Sequence, residues 1–173
     1  MQTTRRMTLY HGTKISRAQE IDRCQLISVS AESCYAFDKS LSATKGFVYL
    51  TSNPGLAAYY GNMYAVYGGE DAFCIYEMSI DYNELCIDDD ELVMRHGVGP
   101  GHCFSLEQAM DITQTCRIDR DLVIGGDVLQ HLILPSNISR NRIPVVRELI
   151  RYRRSGQLDD AIALSRMLPW QIC

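Results

Sequence analysis

Two tyrosines, Tyr49 and Tyr60, stand eleven positions apart on either side of a predicted strand-to-helix transition. The β-branched and aromatic residues of 47–51 are typical of a strand with a half-buried face. Ser52-Asn53-Pro54 then predicts the start of a short helix that ends near Gly61, since Ser or Asn caps free N–H groups and proline needs no donor there. Two facing phenol rings would form a slot for a flat ring. Simple core packing of the two rings is the alternative.

A histidine followed by small residues closes the first predicted strand, which spans 8–13. Gly12 lets a ligand approach the main chain closely, and Thr13 adds a hydroxyl group. Together with His11 they are candidates for a binding loop. Considered alone, a histidine that hydrogen-bonds its own loop is the simpler interpretation.

Carboxylates that could stabilise positive charge occur in two places. Asp121 directly precedes the apolar run 122–124, where a side chain at a sheet edge can project into a cleft; a turn-forming aspartate is the simpler explanation. Asp88–Asp90 close an acidic stretch, 70–91, that contains no Lys or Arg. This stretch lacks the spacing of a calcium loop, so it favours a solvated acidic surface.

Composition excludes several classes of protein. The 173 residues carry a net charge of −4 with a pI near 5.5, so the overall charge does not favour binding to nucleic acid. The seven cysteines form no CxxC pair, so we expect reduced cysteines and no structural metal. No apolar run reaches the roughly 18 residues that span a bilayer, and the first residues lack a secretory signal pattern. These features predict no membrane association and a cytoplasmic protein, or one delivered into a target cell without such a signal.

The remaining patterns predict the elements that would position these residues. They indicate helices over 16–24 and 105–115 and strands over 73–80, 122–124 and 127–135, with a loop over 27–45 that could cover a pocket. From residue 139 the chain becomes rich in arginine and predicts two antiparallel helices. We therefore expect an α+β fold, with a strand-rich body over 1–138 and a basic helix pair over 139–173.

The combined motifs resemble a known superfamily. Tyr-His-Gly-Thr-Lys at 10–14, Val-Tyr-Leu-Thr at 48–51 and the second tyrosine are similar to the His–Tyr–Glu branch of the ADP-ribosyltransferases, which includes diphtheria toxin and poly(ADP-ribose) polymerases. They also resemble the small bacterial rifampin ADP-ribosyltransferases. The resemblance covers about residues 8–135. It implies two small, mostly antiparallel sheets around an NAD cleft, with peripheral helices.

In this family NAD is the substrate, and the resemblance assigns its nicotinamide end to matching positions. The ring would lie between Tyr49 and Tyr60, with Ala57 on the same helix contributing to the site. The main chain of Gly12 would hold the carboxamide, which gives this residue a reason to lack a side chain.

The ribose groups and the carboxylate are assigned in the same way. His11, assisted by Thr13, would hydrogen-bond the adenosine-side ribose. Asp121 would stand where the family usually has glutamate and the rifampin enzymes have aspartate, and would oppose the positive charge that develops as nicotinamide leaves. Asp119 would engage the acceptor. Asp88–Asp90 remain the competing location for the carboxylate.

The implied activity is mono-ADP-ribosyl transfer, a glycosyl transfer from NAD to a macromolecular acceptor that requires no metal, as in bacterial toxins and effectors. An NAD glycohydrolase and an inactive binding module on the same fold remain alternatives. An RNA 2′-phosphotransferase is disfavoured, because its His-x-His stretch and paired arginines are not evident. A protein is the expected acceptor, nucleic acid stays open because of the arginines after Ser139, and a toxin would have an inhibitor or immunity partner.

Overall fold

The computed structural model describes residues 5–30, 43–99 and 101–173. The strands are β1 (Arg6–Lys14), β2 (Leu26–Ile27), β3 (Val48–Thr51), β4 (Ala72–Asp81), β5 (Thr115–Ile118), β6 (Leu122–Val123), β7 (Val128–Pro135) and β8 (Gln171–Ile172). The helices are α1 (Ile15–Cys24), α2 (Pro54–Tyr67), α3 (Asp89–His96), α4 (Leu106–Thr113), α5 (Pro144–Arg151) and α6 (Leu158–Ser165). The α+β class that the sequence predicts is confirmed.

The strands form one large and one small sheet, whereas two small sheets were expected. The large sheet has six strands in the order β5-β3-β1-β4-β7-β8, and β2 pairs with β6 in a separate ribbon. All of these pairings are antiparallel. The large sheet is wide because β1 and β4 pair along their length, from Arg6↔Asp81 to Lys14↔Phe73, and each takes a second neighbour on its other edge.

The large sheet splits between β1 and β3. These strands pair at Tyr10↔Thr51 only, although both continue beyond this point. Residues 11–14 on β1 and 48–50 on β3 therefore form the two sides of an opening, which we call the β1–β3 wedge. Apart from the Tyr49 carbonyl, which the His11 ring contacts, main chain that faces the wedge has no strand partner among the described residues, so it can bind a ligand.

Helix α2 extends past Gly61 to Tyr67, so the prediction of a short helix ending near Gly61 was wrong. Gly61 lies against the sheet, where an added Cβ would come within 2.8 Å of the Phe73 ring. The glycine thus serves close helix–sheet packing. Burial against the sheet compensates for its low helix propensity, which local sequence alone cannot reveal.

Several short elements were not predicted, and two of them, α3 and β5, bear on the site. The stretch interpreted as solvated acidic surface begins α3, and Asp88 caps this helix by accepting a hydrogen bond from the Glu91 N–H at 3.0 Å. Residues 115–118, of which the first was expected to end the helix over 105–115, form β5 and are buried at every position. Arg117 made this strand appear solvated, but its guanidinium group is held inside the protein.

The C-terminal helices pack on the back of α2. Val146, Leu149 and Ala161 are buried in one cluster with Ala57 and Phe73. The chain then ends in β8, which adds to the edge of the large sheet beside β7. The 139–173 segment therefore supports the helix that forms one wall of the cavity described below.

Asn53 joins three of these elements and gives a stability prediction. Its side chain accepts from the Gly55 N–H (2.8 Å) to cap α2, and donates to Gln114 Oε1 (2.8 Å) and to the carbonyl of Tyr152 (3.0 Å). Asn53→Ala removes the cap and leaves two acceptors unpaired, so we expect a loss of about 2 kcal/mol in the free energy of unfolding, measured by urea denaturation. Ser52→Ala is the control, and we expect it to cost less than about 1 kcal/mol. Equal losses in the two variants would contradict the joining role of Asn53.

Candidate active site

A cavity of about 890 Å³ lies at the β1–β3 wedge. Both strands, the exposed face of α2 and the start of α3 contribute to its lining. Its volume falls in the range of small-molecule and cofactor sites, about 300–1,000 Å³. The predicted pocket-covering loop over 27–45 lies partly here, since residues 27–30 and 43–46 line the cavity. Residues 31–42 lie outside the described part of the chain.

The cavity gathers most of the residues that the sequence analysis selected. Its lining includes His11, Gly12, Thr13, Tyr49, Ala57 and Tyr60. Asp121 and Asp119 are not among the lining residues. Asp121 instead accepts a hydrogen bond from the Val29 N–H at 2.8 Å, and Asp119 is exposed to solvent. The geometry thus assigns Asp121 a role in holding the chain after β2.

His11 bridges the two sides of the wedge. Its Nδ1 lies 2.9 Å from the main-chain oxygen of Tyr49, an atom that can only accept, so Nδ1 carries the proton. Burial lowers the pKa of His11 below its ordinary value, so the ring is neutral at pH 7. A neutral ring protonated at Nδ1 has an acceptor at Nε2. This nitrogen suits a ligand hydroxyl.

Gly12 brings α2 against β1. A Cβ at this position would lie 1.9 Å from the carbonyl oxygen of Ala57 and 3.0 Å from the main-chain nitrogen of Gly61. Both are backbone atoms of α2 and cannot rotate away. The glycine is therefore required by the contact between strand and helix, whatever ligand the cavity takes.

Three tyrosines of α2 form an aromatic wall. Tyr60, Tyr64 and Tyr67 follow at spacings of four and three residues, which is one face of a helix, and all three line the cavity. The rings of Tyr60 and Tyr64 stack with centroids 6.1 Å apart. The sequence analysis missed this wall because it ended the helix at Gly61.

Two carboxylates at the start of α3 face the same cavity. Asp88 and Glu91 line it, with only 4% and 6% of their surfaces exposed. The hydroxyl of Tyr60 donates to Glu91 Oε2 at 2.9 Å. The Asp-x-x-Glu spacing at the start of a helix was the available signal, because it places the cap and the third residue of the first turn side by side.

Burial controls the protonation of both acids. It raises the pKa of Asp88 to about 6, although the hydrogen bond from the Glu91 N–H opposes the shift. Burial also raises the pKa of Glu91, against a lowering contribution from Tyr60. Asp88 is therefore ionised at neutral pH, but at a cost in stability.

That cost gives a second prediction. Between about pH 4 and 6 the folded protein holds a proton on Asp88 that the unfolded chain has lost, so the free energy of unfolding falls as pH rises through this window. A rise from 3.8 to about 6 corresponds to about 3 kcal/mol. Asp88→Asn keeps a good capping side chain and removes this dependence. We expect its stability relative to the wild type to increase by up to about 3 kcal/mol from pH 4 to 7, measured by urea denaturation. If the difference in free energy of unfolding between the variant and the wild type stayed constant from pH 4 to 7, the raised pKa of Asp88 would be contradicted.

Tyr49 is held by the next residue of the acidic stretch. Its hydroxyl donates to Asp90 and also lies 2.9 Å from the Thr44 carbonyl. Burial and the contact with Asp90 raise the pKa of Tyr49, so the phenol stays protonated. Burial alone would raise the pKa of Asp90, but hydrogen bonds from Tyr49 and Thr44 keep it below its usual value.

Arg117 anchors the start of α3 to the sheet. Its guanidinium group lies 4.2 Å above the Phe47 ring and donates to Asp89 at 2.7 Å. Asp89 also contacts His102 Nε2 at 2.9 Å. The ion pair fixes the helix turn that carries Asp88 and Glu91. The three candidate aspartates thus separate: Asp88 lines the cavity, Asp89 binds Arg117, and Asp90 binds Tyr49.

Neither the family models nor the curated protein sequences compared with this chain give a match. In the described ranges, no helix is both long and apolar enough to cross a membrane. No group of three or more His, Cys, Asp or Glu side chains within those ranges could hold a metal ion. The geometry of the cavity and the motif resemblance therefore carry the functional argument.

Proposed function

We propose that this protein is a mono-ADP-ribosyltransferase that binds NAD in the β1–β3 wedge, releases nicotinamide and passes ADP-ribose to a macromolecular acceptor. One observation carries the proposal. Residues from three separate segments, His11-Gly12-Thr13, Tyr49 and Tyr60, line one cavity together with a pair of buried carboxylates. Their types and order are those that the resemblance requires.

The nicotinamide ring occupies the part of the cavity between Tyr49 on β3 and Tyr60 on α2. Aromatic faces favour a flat ring by offset stacking and by burial. The main chain of Gly12 binds the carboxamide, because the pairing of β1 with β3 stops two residues earlier, at Tyr10. Ala57 faces the same space without filling it.

The ribose of the adenosine half binds His11. Its neutral ring offers Nε2 as an acceptor to a ribose hydroxyl, while Nδ1 stays bound to the Tyr49 carbonyl. Thr13 lies one residue beyond Gly12 and also lines the cavity. His11 therefore orients NAD and transfers no proton in the reaction.

Asp88 is the carboxylate that we assign to catalysis, instead of Asp121. As the bond between ribose C1′ and the nicotinamide nitrogen breaks, the electron pair leaves with neutral nicotinamide and positive charge develops on the sugar. A fixed, buried carboxylate opposes this charge more effectively than one in water. The acceptor then bonds to C1′ and loses a proton. Asp88 is supported by its burial in the cavity, its position beside Glu91 and its ionisation at neutral pH.

The proposal is tested by incubating the full chain with NAD. Nicotinamide release is measured by chromatography, and NAD binding is measured by calorimetry. Mass spectrometry of a cell lysate after the incubation detects ADP-ribose adducts. Release with an adduct supports the transferase, and release of free ADP-ribose alone indicates a glycohydrolase. Binding without release indicates an inactive module, and the absence of both at millimolar NAD would overturn the proposal.

A further inference from the structure

The charge of the chain is unevenly distributed. Residues 139–156 contain six arginines and one acid, Glu148, which gives a net charge of +5. The whole chain carries −4, so the remaining residues carry −9. The segment contains no lysine. A basic region of this kind in an acidic protein attracts a polyanion locally even though the protein as a whole does not.

The arginines of this segment are accessible and mostly without acidic partners. We call them the arginine surface: Arg140, Arg142, Arg147, Arg151, Arg153 and Arg154. All are exposed except Arg153, which is half-buried. Arg151 pairs with Glu148 at 2.9 Å, and no other member pairs with a carboxylate within residues 5–30, 43–99 and 101–173. Arg147 and Arg151 stand one turn apart on α5, so their side chains project from the same face.

Aromatic rings are interleaved with these charges. The Arg151 guanidinium lies 5.2 Å from the Tyr152 ring centre. Two guanidinium groups lie close to the ring centre of Tyr59, that of Arg153 at 4.9 Å and that of Arg95 at 5.6 Å. Arg95 already pairs with Glu91 at 3.8 Å, whereas Arg153 pairs with no carboxylate in the described ranges, so Arg153 is the cation beside Tyr59 that is suited to a phosphate.

The arginine surface is continuous with the wall of the cavity. The rings of Tyr59 and Tyr60 lie 5.4 Å apart, and Arg95 lies 5.2 Å from the Tyr60 ring centre. Tyr60 lines the cavity. A ligand that follows the arginines from α5 past Tyr59 would therefore reach the opening that holds the proposed reaction centre.

We infer that single-stranded nucleic acid binds along the arginine surface and is the acceptor for the ADP-ribose. Guanidinium groups bind phosphates in a bidentate manner, and both arginine and tyrosine stack on bases. An acidic peptide would use the charges but not the rings, so the arrangement favours nucleic acid. Binding itself is independent of catalysis, whereas the role as acceptor rests on the proposed function.

The transfer step is a substitution at ribose C1′. A base nitrogen of the bound strand forms a new bond to C1′ as the bond to nicotinamide breaks. Nicotinamide leaves as a neutral molecule with the electron pair, and the base nitrogen loses a proton to solvent. The reaction needs no oxidant, reductant or metal.

Fluorescence anisotropy with labelled 20-nucleotide oligo(dT) and oligo(U) tests the binding. The variant is Arg147→Gln/Arg151→Gln, neither residue being in the cavity. The control is Arg5→Gln/Arg23→Gln, which removes the same charge from exposed positions elsewhere. Each lost phosphate contact lowers the slope of log association constant against log salt concentration by about 0.7, so we expect a slope shallower by about 1.4 in the variant. Its affinity at 100 mM salt should fall by about tenfold or more. The control should remain within about threefold of the wild type, because long-range charge is screened.

Two measurements distinguish failure of this inference from failure of the proposed function. Nicotinamide release to water should be equal in the wild type, the variant and the control, whereas adducts on the oligonucleotide, detected by mass spectrometry, should be lost in the variant alone. Equal binding by variant and control, or binding of poly-glutamate in preference to both oligonucleotides, would overturn the inference. Oligonucleotide binding that depends on Arg147 and Arg151 but yields no adduct would support the surface and reject the acceptor role.

Discussion

Asp88→Asn is expected to slow nicotinamide release from NAD by about 10²- to 10³-fold, the usual cost of removing one preorganised stabilising group. The ground-state affinity for NAD should change little, because asparagine has the same shape and the charge of the sugar develops only in the transition state. The effect should therefore appear in kcat, with KM nearly constant, in a steady-state assay of nicotinamide release.

This substitution is informative because the fold should survive it. Asparagine caps helices as well as aspartate does, so the hydrogen bond from the Glu91 N–H has a replacement acceptor. The variant should also be more stable than the wild type at pH 7, since it buries no charge. A slower enzyme that is more stable cannot be explained by misfolding.

Matched substitutions separate the carboxylates. Asp121→Asn should leave the rate within about threefold, because Asp121 does not line the cavity and asparagine can still accept the hydrogen bond from the Val29 N–H. Glu91→Ala should mainly raise KM, through loss of the acceptor for the Tyr60 hydroxyl. The wild-type rate should rise with pH as Asp88 ionises near pH 6. If Asp121→Asn removed the rate and Asp88→Asn retained it, Asp121 and not Asp88 would be the catalytic carboxylate.

The parts of the site that sequence could predict are those that a single local motif contains. His11, Gly12 and Thr13 are adjacent, and Tyr49 and Tyr60 lie within one strand–helix unit, so their neighbourhood is nearly fixed by local chain geometry. All five line the cavity. The catalytic interpretation of these residues stays a prediction.

The carboxylate could not be located in the same way because it comes from a distant segment. Asp121 precedes a short strand, as expected, but that strand pairs with β2 in the small ribbon, and Asp121 does not line the cavity. Asp88 lines the cavity in a helix turn that is held by long-range contacts, among them the ion pair of Asp89 with Arg117 across 28 positions of sequence. Arg117 itself appeared to be a surface residue until its contact with Phe47 was visible. Long-range ion pairs of this kind leave no periodic pattern in the sequence.

Gly12→Ala is expected to reduce the free energy of unfolding by more than about 3 kcal/mol, above the usual cost of overpacking a core. The new methyl group would lie 1.9 Å from the Ala57 carbonyl oxygen, well inside van der Waals contact. Because this oxygen belongs to the backbone of α2, no rotamer change can relieve the clash and the helix must move as a unit. Urea denaturation with an unchanged m-value would measure the loss.

Gly99→Ala is the matched control, because a Cβ there meets nothing within 4 Å and needs no left-handed backbone. It should be neutral, or stabilise the protein by a few tenths of a kcal/mol, roughly, through the unfolded chain. Since α2 also carries Tyr60, its displacement by Gly12→Ala should weaken NAD binding even where most of the protein remains folded. A loss below about 1 kcal/mol would mean that α2 does not pack on β1 as described. Gly12 would then not fix the distance between Tyr49 and Tyr60, the two tyrosines proposed to hold the nicotinamide ring.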